Sequence, residues 1–111
     1  MTFQQFTEAV PFEVVYAGAA ADIRAGYTSD LLSDVMAHCP DDSVLVTVQN
    51  HTNTIAVATL VGAAAIVICH DRDIPKEMRD AAEAQHIAIL RTPLSQFGAT
   101  CVVAEALSRA V

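Results

Sequence analysis

Apolar positions in this chain switch between two spacings, and each switch falls on a turn signal. Phe3, Phe6 and Val10 recur at i, i+3 and i+7, one face of a helix, and Pro11 ends it by withdrawing a backbone N–H. Phe12–Tyr16 (FEVVY) is rich in β-formers and predicts a strand, and the AGAAAD stretch after it carries Gly18 and Asp22 as turn residues. Leu31, Leu32, Val35, Met36 and Cys39 return to helical spacing, closed by Pro40-Asp41-Asp42. The run Gly26–Met36 (GYTSDLLSDVM) is thus expected to open a helix, with Thr28 or Ser29 as its N-cap.

One unit then repeats three times. Ser43–Gln49 (SVLVTVQ), Ala63–Cys69 (AAAIVIC) and Ile87–Arg91 (IAILR) are continuous apolar runs, the signature of strands buried on both faces. Each leads through a polar loop into a helical pattern. The start signals are Thr52 and Asn53 before IAVATLV, Asp73 and Pro75 before KEMRDAAEA, and Thr92-Pro93 before LSQFGATCVVAEAL. Strand, loop and helix in series predict a small three-layer α/β domain with a mainly parallel sheet of four to five strands flanked by helices.

The helices are expected to bury differently. Ile74, Met78, Ala81 and Ala82 form a narrow stripe, with Lys76/Asp80 and Arg79/Glu83 at i, i+4 on a solvated face. Ile55–Val61 is apolar nearly all round. The last helix is expected to lay a main stripe of Leu94, Phe97 and Cys101 on the sheet and to leave Val102, Val103 and Ala106 for a partner. A homodimer follows as the expected assembly.

Composition narrows the function. The 111 residues are 53% apolar and suit one domain over residues 1–111. A net charge of −7, with Lys76 and five arginines as its cations, provides no basic patch and argues against nucleic acid. Cys39, Cys69 and Cys101 are odd in number and lack CxxC spacing, which favours a reduced, cytoplasmic setting. No signal sequence is read at the N-terminus, and the longest uncharged run, Asn50 to His70, is broken by His, Asn, Thr and Gly62, so no membrane association is expected.

Ligands of open parallel α/β sheets bind beyond the carboxyl ends of the strands. The loops there carry Gln49, Asn50, His51 and Asn53, then His70, Asp71 and Arg72, then Arg91, Thr92 and Ser95. Helix N-termini favour anions, so a phosphate or carboxylate is the reasonable guest, although Asn53, Thr92 and Ser95 are also ordinary first-turn residues. Cys69-His70 has no second pair at zinc spacing, and the turn-apart Asp30 and Asp34 suit the helix dipole better than a cation. No metal and no cofactor are expected. GxxxxGK[ST], GxGxxG and GxSxG are all absent, and no catalytic residue is assigned.

GYTSDLLSDVM, then VLVTVQNHTNTIAVATLVGAAAIVIC, then IAILRTPLSQF resemble the DRTGG domain family in order and spacing, from about residue 10 onward. The resemblance implies a small α/β domain, alone or joined to other modules: ahead of the catalytic part of some phosphotransacetylases, and between paired CBS domains in some inorganic pyrophosphatases. There it is a regulatory, dimer-forming module; stand-alone members are often called HPr-kinase-like. The name motif matches Asp22-Ile23-Arg24-Ala25-Gly26 in part, with Ala25 in place of the first glycine. On the resemblance Gly26, Asp30, Ser33, Asp34, Gln49, His51, Asn53, Arg91, Thr92, Pro93 and Ser95 form a shared surface. Tyr27 and Ser29 join Gly26 and Asp30 in the GYTSD turn. The expected function is a non-catalytic ligand-sensing regulatory module, for an adenine nucleotide or related phosphorylated metabolite. A structural protein-interaction subunit is the alternative, and a phosphotransferase stands third.

Overall fold

The computed structural model describes residues 1–19 and 21–109. Ala20, in the expected AGAAAD loop, lies outside them. The elements run α1 (Phe3–Ala9), β1 (Glu13–Tyr16), β2 (Ala25–Thr28), α2 (Leu32–His38), β3 (Ser43–Thr47), α3 (Thr52–Val61), β4 (Ala65–Ile68), α4 (Lys76–Gln85), β5 (Ala88–Arg91) and α5 (Gln96–Ser108). One sheet takes the order β1-β5-β4-β3-β2, with β2 to β5 parallel and β1 antiparallel to β5.

The strand order steps in one direction from β2 to β5, so right-handed crossovers place α2, α3 and α4 on the same face. Alternating side chains then fill two cores. Leu45, Ile66, Ile68 and Ile89 meet Val35, Ile55, Ala58, Met78 and Ala82 of those three helices. Val44, Val46, Val67 and Leu90 meet Phe6 of α1 and Ala99, Val103 and Ala106 of α5 on the opposite face. A strand buried on both faces reads as a continuous apolar run, which is why β3, β4 and β5 were legible. Lys76–Asp80 and Arg79–Glu83 pair across the solvated side of α4 at 2.9 and 3.4 Å. No helix among the described residues is long and apolar enough to cross a membrane.

Two expectations are corrected. The stretch Gly26-Tyr27-Thr28 is strand, not the start of a helix: Ala25–Thr28 pairs in register with Ser43–Val46. Ser29 then makes a turn, its Oγ accepting the Leu31 N–H at 3.1 Å, and α2 begins at Leu32 without a side-chain cap. Neither Thr28 nor Ser29 caps the helix.

The burial of α5 is also reversed. The helix starts at Gln96, with Ser95 rather than Thr92 as its N-cap, and Leu94 precedes it. Ala99, Val103 and Ala106 face the sheet, while Phe97 is 81% exposed and Cys101 is exposed. Close approach explains the choice. A Cβ placed on Gly26 would come within 3.1 Å of Val103 Cγ1, so the α5 position that faces Gly26 has no room for a side chain larger than valine. Val103 and Ala106 are therefore core, and the face Val102–Val103–Ala106 is not free for a partner.

Candidate functional site

The four parallel strands end on one side of the sheet, and loops 29–31, 48–51, 69–75 and 92–95 meet there. Side chains lace them together. Gln49 Nε2 donates to the Asp30 carbonyl at 2.6 Å, joining the first two loops. Asn50, only 9% exposed, donates to the Asp73 carbonyl at 2.7 Å. Arg72 Nη1 donates to the Val48 carbonyl at 2.9 Å, and the Val48 N–H donates to Gln96 Oε1 at 3.1 Å. The His70 and Asp71 N–H groups donate to the Leu94 and Thr92 carbonyls, both at 2.9 Å. Such cross-ties are how polar backbone at the end of a sheet is satisfied.

His51 and Asn53 lie exposed at the start of α3, and His51 occupies the N-cap without a capping side-chain bond. The Thr54 N–H donates to the His51 carbonyl at 3.0 Å, while no side chain accepts from the Thr52 or Asn53 N–H. Thr92 is buried and structural: its N–H donates to the Ile68 carbonyl at 3.0 Å and its Oγ1 accepts from the Leu94 N–H at 3.2 Å. Ser95 Oγ accepts the Gly98 N–H at 3.1 Å.

Arg91 closes β5 between two carboxylates, its Nε 3.4 Å from Glu13 and 3.8 Å from Asp71. That nitrogen is out of solvent and makes no well-aligned hydrogen bond, so the contacts are ionic. The cation with uncommitted charge is a different one. Among the described residues, Arg72 alone of the lysines and arginines has no carboxylate within 4.0 Å.

Gly26, Tyr27 and Asp34 lie to one side of this group. The Tyr27 hydroxyl donates to Asp34 Oδ2 at 2.7 Å, tying β2 to α2. That bond raises the Tyr27 phenol and, with help from Ser29, holds the Asp34 carboxyl below its usual range. Asp34 is thus committed to the fold, and His38 lies 4.0 Å from its other oxygen. Ser33 and Pro93 are exposed beside these elements.

Cys69 and His70 separate as adjacent residues at a strand end should. Cys69 is buried and its thiol is pushed up to about 11 by burial, which removes it as a nucleophile near neutral pH. His70 turns outward with a left-handed backbone, φ 60°. No three His, Cys, Asp or Glu side chains among the described residues come close enough to share a metal ion. Sequence reasoning missed Gln96, whose amide oxygen anchors the loop after β3 to α5. The one signal for it was its place just after the Ser95 cap.

No family model matches the sequence, and no curated protein does. Among solved structures, the crystal structure of the CBS and DRTGG domains of the regulatory region of Clostridium perfringens pyrophosphatase, complexed with the activator diadenosine tetraphosphate, superposes with a TM-score of 0.70. The sequences are 11% identical, and the match covers 94% of this chain and 46% of that one. The chain thus spans less than half the length of this neighbour. The likeness is one of fold, and it supports a DRTGG-like domain.

Proposed function

We infer that residues 1–111 form a single, non-catalytic regulatory domain that senses a nucleotide or related phosphorylated metabolite at the carboxyl edge of its sheet. The observation that carries this reading is the position of Arg72, the uncommitted cation, on the same edge as the uncapped start of α3. Unpaired backbone N–H groups and a guanidinium are donors suited to phosphate oxygens. The chain carries −7 overall, so attraction is short-range and depends on these contacts. The structural neighbour, a regulatory region in complex with a dinucleotide activator, supports the same reading.

Ser29, Asp30, Gln49, His51, Asn53, Arg91, Thr92 and Ser95 shape or flank this edge; Gly26, Tyr27 and Asp34 hold β2 against it. No cofactor enters the reading. The module works in the cytoplasm and acts as a homodimer or on a protein partner, by changing affinity or geometry when its ligand binds. Leu31, Met36 and Leu60 are 60%, 51% and 72% exposed on the α2–α3 layer and favour a second reading, a structural interaction subunit.

Thermal unfolding against AMP, ATP, dinucleoside polyphosphates, ribose 5-phosphate and inorganic phosphate tests the first reading. A ligand at ~100 times its dissociation constant stabilises the fold by ~2.7 kcal/mol, a rise of roughly 10 °C for this chain length. Arg72→Ala should abolish the rise. No rise with any compound would transfer the function to the interaction subunit.

A further inference from the structure

Beside the carboxyl edge lies a groove of about 330 Å³ between β2 and α5. Gly26, Thr28 and Val46 form its sheet wall, and Thr100, Ala104 and Leu107 its helix wall. Phe97, Thr100, Ala104 and Leu107 follow at i, i+3, i+7 and i+10, so Phe97 continues the helix wall by one turn. Helical side chains lean toward the N-terminus of their helix, which here directs the 81% exposed ring toward the carboxyl edge. An aromatic ring left this open, one turn beyond the groove's lining on the same helix face, has no role in the core.

The polar end of the groove has a defined hydrogen-bond sense. Thr100 donates its single hydroxyl proton to the Gln96 carbonyl at 2.5 Å. Its contact with Thr28, 2.6 Å between oxygens, must then be donated by Thr28. Thr28 has spent its proton and keeps an accepting lone pair. The groove therefore offers apolar walls and one hydroxyl acceptor, with the Phe97 ring one turn beyond on the same helix face. The same bonds lead to the phosphate-favouring edge: Gln96 Oε1 holds the Val48 N–H, and the Val48 carbonyl holds Arg72.

The geometry points to this groove as the seat of an amino-bearing heteroaromatic base, belonging to a nucleotide whose phosphate lies at the carboxyl edge. The volume is near the ~300 Å³ lower limit of small-molecule sites, enough for one nucleoside and too small for two. An alkyl chain would satisfy the walls and leave the Thr28 acceptor without a donor. A base with an exocyclic amino group satisfies both, and Phe97 supplies the stacking face. The inference rests on the ligand-sensing reading and adds its ligand class: a nucleoside phosphate, recognised through its base, rather than any phosphorylated metabolite.

Isothermal titration calorimetry on the whole chain with AMP and with ribose 5-phosphate separates the two levels. AMP is expected to bind at least tenfold tighter. Phe97→Ala, at an exposed position, and Ala104→Phe, which fills the groove from its exposed helix wall, should each bring AMP down to the affinity of ribose 5-phosphate. Binding of ribose 5-phosphate itself should not change. Equal affinity of the wild-type protein for both compounds would overturn the groove and leave the phosphate-sensing edge standing. Binding of neither would overturn both.

Discussion

Val103→Ala and Phe97→Ala make opposite demands on α5, and comparing them tests which face of the helix carries the fold. Val103 is 3% exposed and packs against β2 beside Gly26. Removing two methyl groups costs ~1.6 kcal/mol in transfer free energy at ~0.8 per carbon, and the cavity adds up to ~1. The better helix propensity of alanine returns ~0.6, leaving a net loss of ~2 kcal/mol. Phe97 is 81% exposed, so its ring contributes little burial, and alanine recovers a similar propensity. Its net effect is ~0.5 kcal/mol or less. At roughly 4–6 °C per kcal/mol, Val103→Ala lowers Tm by ~8–12 °C and Phe97→Ala by no more than ~3 °C. Urea unfolding followed by circular dichroism gives the same comparison at constant temperature. A larger loss for Phe97→Ala than for Val103→Ala would mean that α5 is rotated, and would refute both the packing and the groove built on it.

The Tyr27–Asp34 bond predicts a pH signature. It needs a protonated phenol and an ionised carboxylate, and folding lowers the Asp34 pKa while raising that of Tyr27. The stability difference between wild type and Tyr27→Phe should hold constant between these limits. It should shrink as pH falls below the ordinary carboxylate value of ~4 and as it rises past ~10; a difference flat across pH 2–6 would contradict the bond. Thiol labelling of the native protein at pH 8 should modify exposed Cys101 first, with the raised, half-buried Cys39 slower and Cys69 protected; rapid labelling of Cys69 would contradict its burial. Gly62 caps α3 at φ 75°, and a Cβ there would stand 3.2 Å from Asp41 Cβ. Gly62→Ala should therefore cost ~1–2 kcal/mol in urea unfolding, and an unchanged midpoint would show that the left-handed cap is not held.

What the sequence disclosed follows from where each signal originates. Ser43–Thr47, Ala65–Ile68 and Ala88–Arg91 announced themselves because burial on both faces demands unbroken apolar runs. Strand β2 did not, because an edge strand carrying Ala25 and Gly26 has weak β propensity, and the helical spacing from Leu31 onward overshadowed it. The apolar residues of α5 encircle the helix, so their spacing sets its existence and not its rotation. The rotation is fixed by the space above Gly26, a contact 77 positions away in sequence from Val103. The loops of the carboxyl edge were legible as a group because parallel topology brings strand ends together. Which arginine keeps its charge uncommitted was not, because Arg91 is occupied by Glu13, a partner supplied by β1 from the far end of the chain.

Amide chemical-shift mapping by two-dimensional NMR during an AMP titration locates the bound nucleotide residue by residue. Shifts are expected in loops 29–31, 48–51, 69–75 and 92–95, at Arg72 and the first turn of α3 for the phosphate, and at Thr28, Thr100 and Ala104 for the base, with the opposite edge around Asp42 and Gly62 unmoved. Shifts confined to that opposite edge, or none at saturating AMP, would contradict this placement.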